Sequence, residues 1–343
     1  MGKIRVLAQR SLENMTLVLG GAGYIGTHMV KKLLEHKVTV LTLDNLSRGN
    51  RDLLPGGTFE KGDLGNAALL DDIFSNNNIH AVMHFAAHSI VPQSIRHPLE
   101  YYENNVAKTI RLLHAMVDHG IKYFIFSSSA AVYGEPSEIP IKEGHACQPS
   151  NPYGTSKWMV EQVLKDCEAT YGLKYVSLRY FYAAGADSSG TIGEHHSPET
   201  HLIPSILKVA LGERSELKVF GTDYPTPDGT CIRDYVHVSD LIQAHLLALE
   251  MLLDGGESNT YNLGNSNGYS VRDVIKVAQR VVNRDIPVAE EGRRAGDPPV
   301  LVANSDKIRR ELNWRPMYED LERIIRTAWN WHQNDAARRR QSR

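Results

Sequence analysis

Short apolar runs alternate with amphipathic stretches through the first half of the chain. Residues 17–19 and 38–43 are largely apolar and β-branched, which is typical of short buried strands. Between them, residues 24–36 place apolar side chains three and four positions apart, the spacing of a helix with one buried face. These three segments therefore predict a strand–helix–strand unit.

The same alternation continues along the chain. Further strands are predicted at residues 81–86, 123–127 and 174–180, and helices at residues 99–118 and 153–171. Strands that alternate with helices favour a parallel sheet covered by helices on both faces. The predicted fold class is α/β, a doubly wound parallel sheet of the Rossmann type with a second, smaller α/β lobe.

The second lobe is indicated by a looser, turn-rich pattern with more proline and glycine. Its predicted helices are residues 202–211, 270–282 and 321–332, while a helix at 239–252 returns to the first domain. The first domain is predicted to span residues 15–181 and about 236–262, the second residues 182–235 and about 263–335. Residues 1–14 and 336–343, which include the basic run at 338–340, are interpreted as terminal extensions.

Charge and composition exclude several classes of function. The 38 basic residues nearly balance the 40 acidic residues, so nothing in the overall charge favours nucleic acid or an anionic membrane as a partner. No run of about 18 apolar residues occurs, and we expect neither a membrane span nor a signal peptide. Three widely spaced cysteines, Cys147, Cys167 and Cys231, argue against a disulfide framework and favour a reducing, cytoplasmic location.

A glycine-rich turn lies between the first predicted strand and helix. Gly20, Gly23 and Gly26 would let backbone N–H groups and a helix N-terminus approach a diphosphate. Asp44, at the end of the second strand, can accept hydrogen bonds from an adenosine ribose and would repel a 2′-phosphate. The pattern predicts bound NAD rather than NADP. Asp63 could reach the adenine or could be part of a plain surface turn.

The strongest constellation is Tyr153 and Lys157, preceded by serines 127–129 at a predicted strand end. A spacing of four places both side chains on one helical face. Free tyrosine, with a pKa near 10, is a poor base at neutral pH, and lowering that value by ~3 units requires ~4 kcal/mol. An ammonium ~4 Å away at an effective dielectric constant of ~20 supplies about that much. We therefore predict that Lys157 activates Tyr153 as a base and that Ser129 hydrogen-bonds the reacting hydroxyl.

With these motifs, the sequence resembles the UDP-glucose 4-epimerase family of extended short-chain dehydrogenases from about residue 15 to residue 332. The resemblance rests on residues 20–26, 44–46, 84–87, 98–102, 104–105, 127–134, 179–181, 228–235, 261–264 and 293–297. It implies an isomerase in which Tyr153 takes the proton of the sugar 4-hydroxyl while hydride passes from carbon 4 to NAD. The 4-keto sugar would then turn over and take the hydride back on its other face.

The motifs and the resemblance together imply two sets of binding residues. The cofactor set is Gly20, Gly23, Tyr24, Ile25, Gly26, Asp44, Asn45, Asp63, Leu64, Phe85, Ala86, Ala87, Asn104, Ser127, Tyr153, Lys157, Tyr180 and Phe181. The substrate set is Ser129, Tyr182, Leu202, Val219, Phe220, Arg233, Arg294, Asp297 and Leu301. The arginines would bind the diphosphate, Asp297 the uridine ribose, and Leu202 and Phe220 the uracil. The resemblance also implies a homodimer formed through the helices at 99–118 and 153–171.

Three positions depart from the family pattern. Tyr182 stands where the family usually has asparagine, Ala131 where it has threonine, and Leu301 where relatives control bulk at carbon 2 of the sugar. Leu301 is intermediate in size and leaves open whether UDP-glucose, a UDP-N-acetylhexosamine or a UDP-pentose is the preferred substrate.

Three other functions were weighed. A sugar-nucleotide 4,6-dehydratase would need carboxylates after the serine strand, where this chain has Ala130 and Ala131. A non-catalytic NAD-binding sensor would not require both Tyr153 and Lys157. A zinc site from His195, His196 and His201 lacks cysteine partners, so we expect solvated histidines and no metal site.

Overall fold

A computed structural model of the chain describes residues 15–196 and 198–341. Its strands are β1 (Met15–Leu19), β2 (Thr39–Asp44), β3 (Thr58–Lys61), β4 (Ile79–His84), β5 (Tyr123–Ser129), β6 (Lys174–Tyr180), β7 (Tyr182–Ala184), β8 (Leu217–Phe220), β9 (Ile232–His237), β10 (Asn259–Leu263), β11 (Gly268–Ser270), β12 (Val288–Glu291) and β13 (Val300–Leu301).

The helices connect these strands. They are α1 (Tyr24–Glu35), α2 (Ala67–Asn76), α3 (Val91–Arg96), α4 (Pro98–Tyr102), α5 (Lys108–Asp118), α6 (Pro152–Tyr171), α7 (Leu202–Ala210), α8 (Val238–Leu253), α9 (Val271–Val282), α10 (Asp306–Glu311) and α11 (Leu321–Gln341).

The largest sheet has seven strands in the order β10–β6–β5–β4–β1–β2–β3. β1 pairs in parallel with β2 on one side, Leu19 lying opposite Leu43, and with β4 on the other, Leu19 lying opposite His84. The chain moves outward from β1 to β3 and then returns to the other side of β1, so the strand order reverses between β1 and β4. The doubly wound fold predicted from the alternating pattern is confirmed, and such a reversal is where this fold binds ligands.

Helix α6 has clear start and stop signals. The Asn151 side chain caps it by accepting a hydrogen bond from the Gly154 N–H at 2.9 Å, and Gly172 ends it in the left-handed region at φ 69°. A Cβ at Gly154 would lie 2.3 Å from the Ala131 carbonyl oxygen, so glycine allows the helix to begin against the segment that follows β5. The first turn of α6, which contains Tyr153, is thereby placed beside the end of β5.

The helix predicted at 99–118 is interrupted, and the prediction of one continuous helix was wrong. A π-helical turn, Glu103–Ala107, separates α4 from α5. The buried Asn105 explains it: its amide exchanges hydrogen bonds with the His88 backbone, at 2.8 and 2.9 Å, and donates to Ser156 Oγ at 3.1 Å. A local extra residue in the helix turns this side chain inward, a distortion common at functional sites.

The chain divides into two compact units. The first runs up to Val132 and includes Pro149–Arg179 and Ile242–Tyr261; the second comprises Tyr133–Gln148, Tyr180–Leu241 and the chain from Asn262. The first unit has its own core around β1, β2, β4 and β5. In contrast to the predicted boundaries, residues 133–148 fall in the second unit, because the Tyr133 hydroxyl donates to Asn262 and Ile141 exchanges backbone bonds with Val302 and Asn304.

The second unit has a separate core and two small sheets. One sheet has the order β11–β9–β13, with β7 also paired to β9, and the other joins β12 to β8. Helices α7, α9 and α11 contribute the apolar side chains of the core, including Ile206, Val274 and Ile324, each fully buried. The parallel alignment of β13 with β9 places Leu301 opposite Arg233.

The last predicted helix is longer than expected. α11 continues through residues 336–340, which the sequence interpretation assigned to a terminal extension; Ala336 is buried, and the Arg338 guanidinium lies over the Trp331 ring at 4.8 Å. The predicted extension at residues 1–14 and residues 342–343 lie outside the described residues. Within the described ranges, no helix combines the length and apolar character needed to cross a bilayer.

Candidate active site

The glycine turn after β1 is packed too closely for other residues. Gly20 has φ +71°, and a Cβ there would lie 2.6 Å from the Ala86 backbone nitrogen; a Cβ at Gly26 would lie 2.2 Å from the Gly20 carbonyl oxygen. These two glycines are therefore required by the protein itself, because the chain after β4 and the first turn of α1 both press against the turn.

Gly23 is different. It is the N-cap of α1 without a side-chain hydrogen bond, and a Cβ there would approach the protein only at 3.3 Å, to the Gly20 carbonyl. Packing alone therefore does not require glycine at this position. The arrangement leaves the N-terminus of α1, including Tyr24 and Ile25, open to an anionic group, as a dinucleotide diphosphate would require.

Asp44 ends β2 beside this turn. Its carboxylate accepts hydrogen bonds from the Ala22 N–H at 3.0 Å and the Leu46 N–H at 2.8 Å, and burial raises its pKa above the ordinary value. A Cβ at Gly49 would lie 2.9 and 3.0 Å from its two oxygens, so glycine there leaves space over the carboxylate. Two bonds do not exhaust the acceptor capacity of a carboxylate. A ribose diol fits this cradle.

A polar chain continues from Asp44 to the π-helical turn. Asn45 donates to Asp63 at 2.8 Å, and the Lys108 ammonium lies 2.7 Å from the Asp63 carboxylate and 3.3 Å from Asn104 Oδ1. Burial acts to raise the pKa of Asp63, but hydrogen bonds from Lys108, the Gly65 N–H and Asn45 outweigh it and lower the pKa. Lys108, which the sequence interpretation missed, thus ties three predicted cofactor residues together.

The remaining cofactor residues of the first unit follow β3 and β4. The Phe85 N–H donates to the Leu19 carbonyl at 2.8 Å, which continues the sheet beyond β4, and its ring lies 5.0 Å from the His245 ring. Ala86 covers Gly20, and the neighbouring Ala87 is half-buried. Leu64, in contrast, buries its side chain in the core.

Lys157 is buried at the centre of this unit. Its ammonium donates to the Ser127 carbonyl at 2.8 Å and lies 6.0 Å from the centroid of the Tyr153 ring. Burial lowers the pKa of Lys157 to about 7, while the nearby Glu161 carboxylate opposes the shift. A lysine that is only partly protonated at neutral pH gains its charge most readily when a neighbouring group becomes anionic, so ionisation of Tyr153 and protonation of Lys157 favour each other.

The predicted base Tyr153 and the predicted hydrogen-bonding residue Ser129 are more accessible to solvent than Lys157. Tyr153 and Ser129 are half-buried, whereas Lys157 is 3% exposed. The Ser129 hydroxyl oxygen accepts a hydrogen bond from the Ala131 N–H at 3.2 Å, which orients it at the end of β5. The first unit therefore contains all four predicted residues Ser127, Ser129, Tyr153 and Lys157. The catalytic roles assigned to them remain predictions.

A buried ion pair lies behind Lys157. Glu161, one helical turn further along α6, binds Arg179 through two bonds of 3.0 and 2.6 Å and accepts a bond from Ser128 Oγ at 2.5 Å. Glu161 and Arg179 are 2% and 4% exposed, so each charge depends on the other. This pair was not predicted from the sequence. Tyr153, Lys157 and Glu161 follow one another at intervals of four residues, which places all three on one helical face.

The second unit contains most of the predicted substrate residues. The Arg233 guanidinium is 5% exposed, donates from Nε to the Tyr182 hydroxyl at 2.9 Å and lies 3.5 Å from Asp297. Tyr182 is one of the positions that depart from the family pattern, and its hydroxyl gives one edge of the Arg233 guanidinium a hydrogen-bond partner. A buried N–H without a partner is costly.

Arg294 contacts one of the other predicted substrate residues. Its guanidinium stacks on the Phe220 ring at 3.8 Å, and burial lowers its pKa from the ordinary value. Val219 and Leu301 are buried, while Leu202 and Phe220 are half-buried. Tyr180 and Phe181, predicted cofactor residues, are buried in this unit; the Phe181 N–H donates to the Leu263 carbonyl at 3.1 Å.

The three histidines that were expected to be solvated also have acidic neighbours. His195 and His201 are exposed and His196 is half-buried. His196 and His201 contact two glutamates that the sequence interpretation did not consider: His201 Nδ1 lies 2.7 Å from Glu194, and His196 Nδ1 lies 3.1 Å from the same carboxylate. Burial opposes protonation of His201, but Glu194 and Glu199 outweigh it and raise its pKa to about 10. His195 stands apart, paired with Asp335 at 3.4 Å.

Comparison with known proteins identifies the family. Residues 16–264 match the family model described as the NAD dependent epimerase/dehydratase family. The chain belongs to this family. A curated relative, the UDP-glucose 4-epimerase of Halalkalibacterium halodurans, is 52% identical over 316 residues, which cover 92% of this chain and 95% of the relative.

Solved structures agree with the family assignment. The crystal structure of UDP-glucose 4-epimerase from Brucella ovis in complex with NAD is 46% identical, with a TM-score of 0.89, and covers 92% of this chain and 97% of that one. The enzyme from Bifidobacterium longum, solved with NAD+ and UDP, is 39% identical, with a TM-score of 0.90, and covers 94% of this chain and 99% of that one.

The buried state of Lys157 predicts a pH dependence of stability. Because its pKa falls from 10.5 to about 7 on folding, the unfolded chain binds more protons between these values, and the contribution of Lys157 to stability improves as pH rises from 7 to 10. Urea unfolding should show wild type gaining stability relative to Lys157→Met over this range. As a control, Lys165→Met removes an exposed lysine of the same helix. The difference in stability between wild type and Lys165→Met should not change with pH. A constant difference between wild type and Lys157→Met would contradict the burial of this charge.

Proposed function

We propose that this chain catalyses NAD-dependent epimerisation at carbon 4 of a UDP-hexose, the interconversion of UDP-glucose and UDP-galactose. The observation that carries the proposal is the set formed by Tyr153, Ser129 and the buried Lys157, which lies in the same unit as the glycine turn and the Asp44 carboxylate. Relatives that bear the name of this activity match over about nine tenths of the chain.

The proposed reaction transfers one proton and one hydride. Tyr153, as phenolate, takes the proton of the 4-hydroxyl, and Ser129 hydrogen-bonds the same oxygen to shorten the transfer. When bound, NAD would supply the acceptor for the hydride of carbon 4 and would return it to the opposite face of the ketone. Tyr153 gives its proton back in the same step. Lys157 stabilises the phenolate through its charge.

The residues of the first unit fit NAD in three places. The N-terminus of α1 beside Gly23 accommodates the diphosphate, the Asp44 carboxylate binds the adenosine ribose, and Phe85, Ala86, Ala87 and Asn104 follow at the ends of β4 and α4. A 2′-phosphate on the ribose would meet the Asp44 charge, which favours NAD over NADP.

Residues of the second unit are proposed to bind the UDP portion of the substrate. Arg233 and Arg294 bind the diphosphate through charge-assisted hydrogen bonds, Asp297 binds the uridine ribose, and Leu202 and Phe220 contact the uracil. Tyr182 orients Arg233. Val219 and Leu301 supply apolar surface nearby, and Leu301 bears on the size of the group accepted at carbon 2.

The proposal extends to assembly and location. Leu99 is 80% exposed and Met159 43% exposed, and both lie in the first unit on helices assigned to a homodimer interface. Large exposed apolar side chains at neighbouring elements mark association surfaces. We place the protein in the cytoplasm, which suits its buried thiols Cys167 and Cys231.

The activity is tested directly by incubating the purified chain with UDP-galactose and no added NAD, and measuring UDP-glucose by chromatography. We expect conversion in wild type, a loss of about 10²–10⁴-fold in Tyr153→Phe because the base is removed, and full activity in Tyr171→Phe. Tyr171 is 57% exposed at the other end of the same helix. No UDP-glucose, even with NAD supplied, would refute the proposal, and a panel of other UDP-sugars then defines the substrate range.

The identity of the nucleotide is a separate test. Because the cofactor is regenerated in every cycle, it should stay bound, and denaturing the purified protein should release NAD in a ratio near one per chain. Mass spectrometry identifies the released molecule. NADP in its place would show that the Asp44 carboxylate does not select against a 2′-phosphate.

The homodimer is tested by light scattering after size-exclusion chromatography. Wild type should have twice the mass of the chain, and Leu99→Glu should shift it to the single-chain mass, because a charge at the interface would be buried without a partner. Met317→Glu changes another exposed apolar residue, 60% exposed in the second unit, and should leave the mass unchanged. A wild-type monomer, or a Leu99→Glu dimer of equal stability, would contradict the proposed interface.

A further inference from the structure

Four potential metal ligands converge just before α7 in the second unit. These are the side chains of Glu194, His196, Glu199 and His201, whose ligand atoms all lie within 4.8 Å of one another. Both histidines direct Nδ1 toward the carboxylates: His201 lies 2.7 Å from Glu194 and 3.2 Å from Glu199, and His196 lies 3.1 Å from Glu194 and 3.8 Å from Glu199. None of the four belongs to the substrate or catalytic sets.

One carboxylate oxygen of this cluster is buried without a hydrogen-bond partner. Glu199 is 4% exposed, and its Oε1 accepts hydrogen bonds from the Thr200 N–H at 2.8 Å and the His201 N–H at 2.9 Å. Its Oε2 is buried and makes no hydrogen bond among the residues that the structure describes. The two bonds to Oε1 therefore fix the carboxylate with Oε2 on the side of His196, whose Nδ1 at 3.8 Å is too distant for a hydrogen bond, while His201 Nδ1 lies 3.2 Å from Oε1.

The surrounding backbone holds the two glutamates in place. The Glu194 carbonyl accepts a hydrogen bond from Trp331 Nε1 at 3.0 Å, and the Glu199 carbonyl accepts one from Arg214 Nη2 at 2.8 Å. Metal sites need ligands that are oriented before the ion arrives, because disordered ligands would have to lose conformational freedom on binding. Anchors at both glutamates meet this requirement.

We propose that Glu194, His196, Glu199 and His201 form a structural site for one divalent transition-metal ion, with Zn²⁺ as the best match. Two imidazole nitrogens and two carboxylate oxygens are ligands that Zn²⁺ accepts in tetrahedral sites. Two carboxylates balance the charge of the ion when both histidines are neutral. The ion would give Glu199 Oε2 the partner it lacks.

The expected consequence is local order. All four ligands lie between residues 194 and 201, and the next residue, Leu202, begins α7. A bound ion would cross-link this segment at four points, so it would stabilise the folded chain by an amount that grows with the logarithm of its concentration relative to the dissociation constant. This inference does not depend on the proposed epimerase activity, since the ion has no part in the chemistry at Tyr153.

The test is metal binding by the full chain after chelator treatment and dialysis. Zn²⁺ is titrated in by calorimetry, and bound zinc per chain is measured by mass spectrometry. Wild type should bind one ion and melt at a higher temperature with Zn²⁺. Glu199→Gln and His196→Gln should each weaken binding by more than the ~10–100-fold that loss of an outer-shell partner costs. His195→Gln removes the adjacent histidine, which is paired with Asp335, and should bind like wild type.

Two outcomes would overturn the proposal. One is a wild-type chain that binds no stoichiometric Zn²⁺, which would show that the cluster is an ion-pair network alone. The other is equal affinity in wild type, Glu199→Gln and His196→Gln. If a variant fails to fold, X-ray absorption of the zinc-loaded wild type decides: only nitrogen and oxygen ligands are expected, and a sulfur ligand would place the ion at a cysteine instead. No activity assay enters, so failure here leaves the proposed function untouched.

Discussion

The burial of the Lys157 ammonium is the constraint on which the candidate site depends. A charge that has lost its water must be compensated by fixed dipoles and charges, and here the Ser127 carbonyl and the nearby Glu161 carboxylate provide them. Each comes from a different position in the fold, the end of β5 and the next turn of α6. A shift of either element would leave the lysine without its partners, so the catalytic geometry and the packing of α6 on the sheet are maintained together.

Packing and the proposed binding site are also linked at the glycine turn. Gly20 and Gly26 are required because the backbone after β4 and the start of α1 approach too closely for any Cβ. The ends of β1, β2 and β4 lie beside this turn, where the strand order reverses. Asp44 ends β2 and Phe85 follows β4. A dinucleotide site therefore follows from how tightly these strands and α1 pack, and few side chains need to be specialised for it.

Local patterns predicted the first unit well. The strand at 174–180 and the start of the helix at residue 24 agree with the structure, because apolar periodicity and glycine signals act over a few residues. Tyr153 and Lys157 were predicted from their spacing together with the serine-bearing strand end and the glycine turn that precede them in the chain. The π-helical turn at Asn105 was not, because its cause is a set of hydrogen bonds to His88 and Ser156, 17 and 51 residues away.

Long-range pairing also explains the other differences. The hydrogen bond from Arg233 to Tyr182 joins residues 51 positions apart, so the local sequence could not show that Tyr182 contacts Arg233. The histidines near residue 200 were interpreted with cysteine partners in mind. Their actual partners, Glu194 and Glu199, are neighbours in sequence, and the alternation of acid and imidazole at 194, 196, 199 and 201 was a signal that could have been used.

The pH dependence of epimerase activity in wild type and Lys157→Met shows whether Lys157 keeps Tyr153 ionised at neutral pH. Without the ammonium, the tyrosine must lose its proton unaided, near its ordinary pKa of about 10. Wild type should be active at pH 7, whereas Lys157→Met with NAD bound should be nearly inactive there and gain activity as the pH approaches 10. Parallel pH profiles in the two proteins would show that Lys157 does not keep Tyr153 ionised.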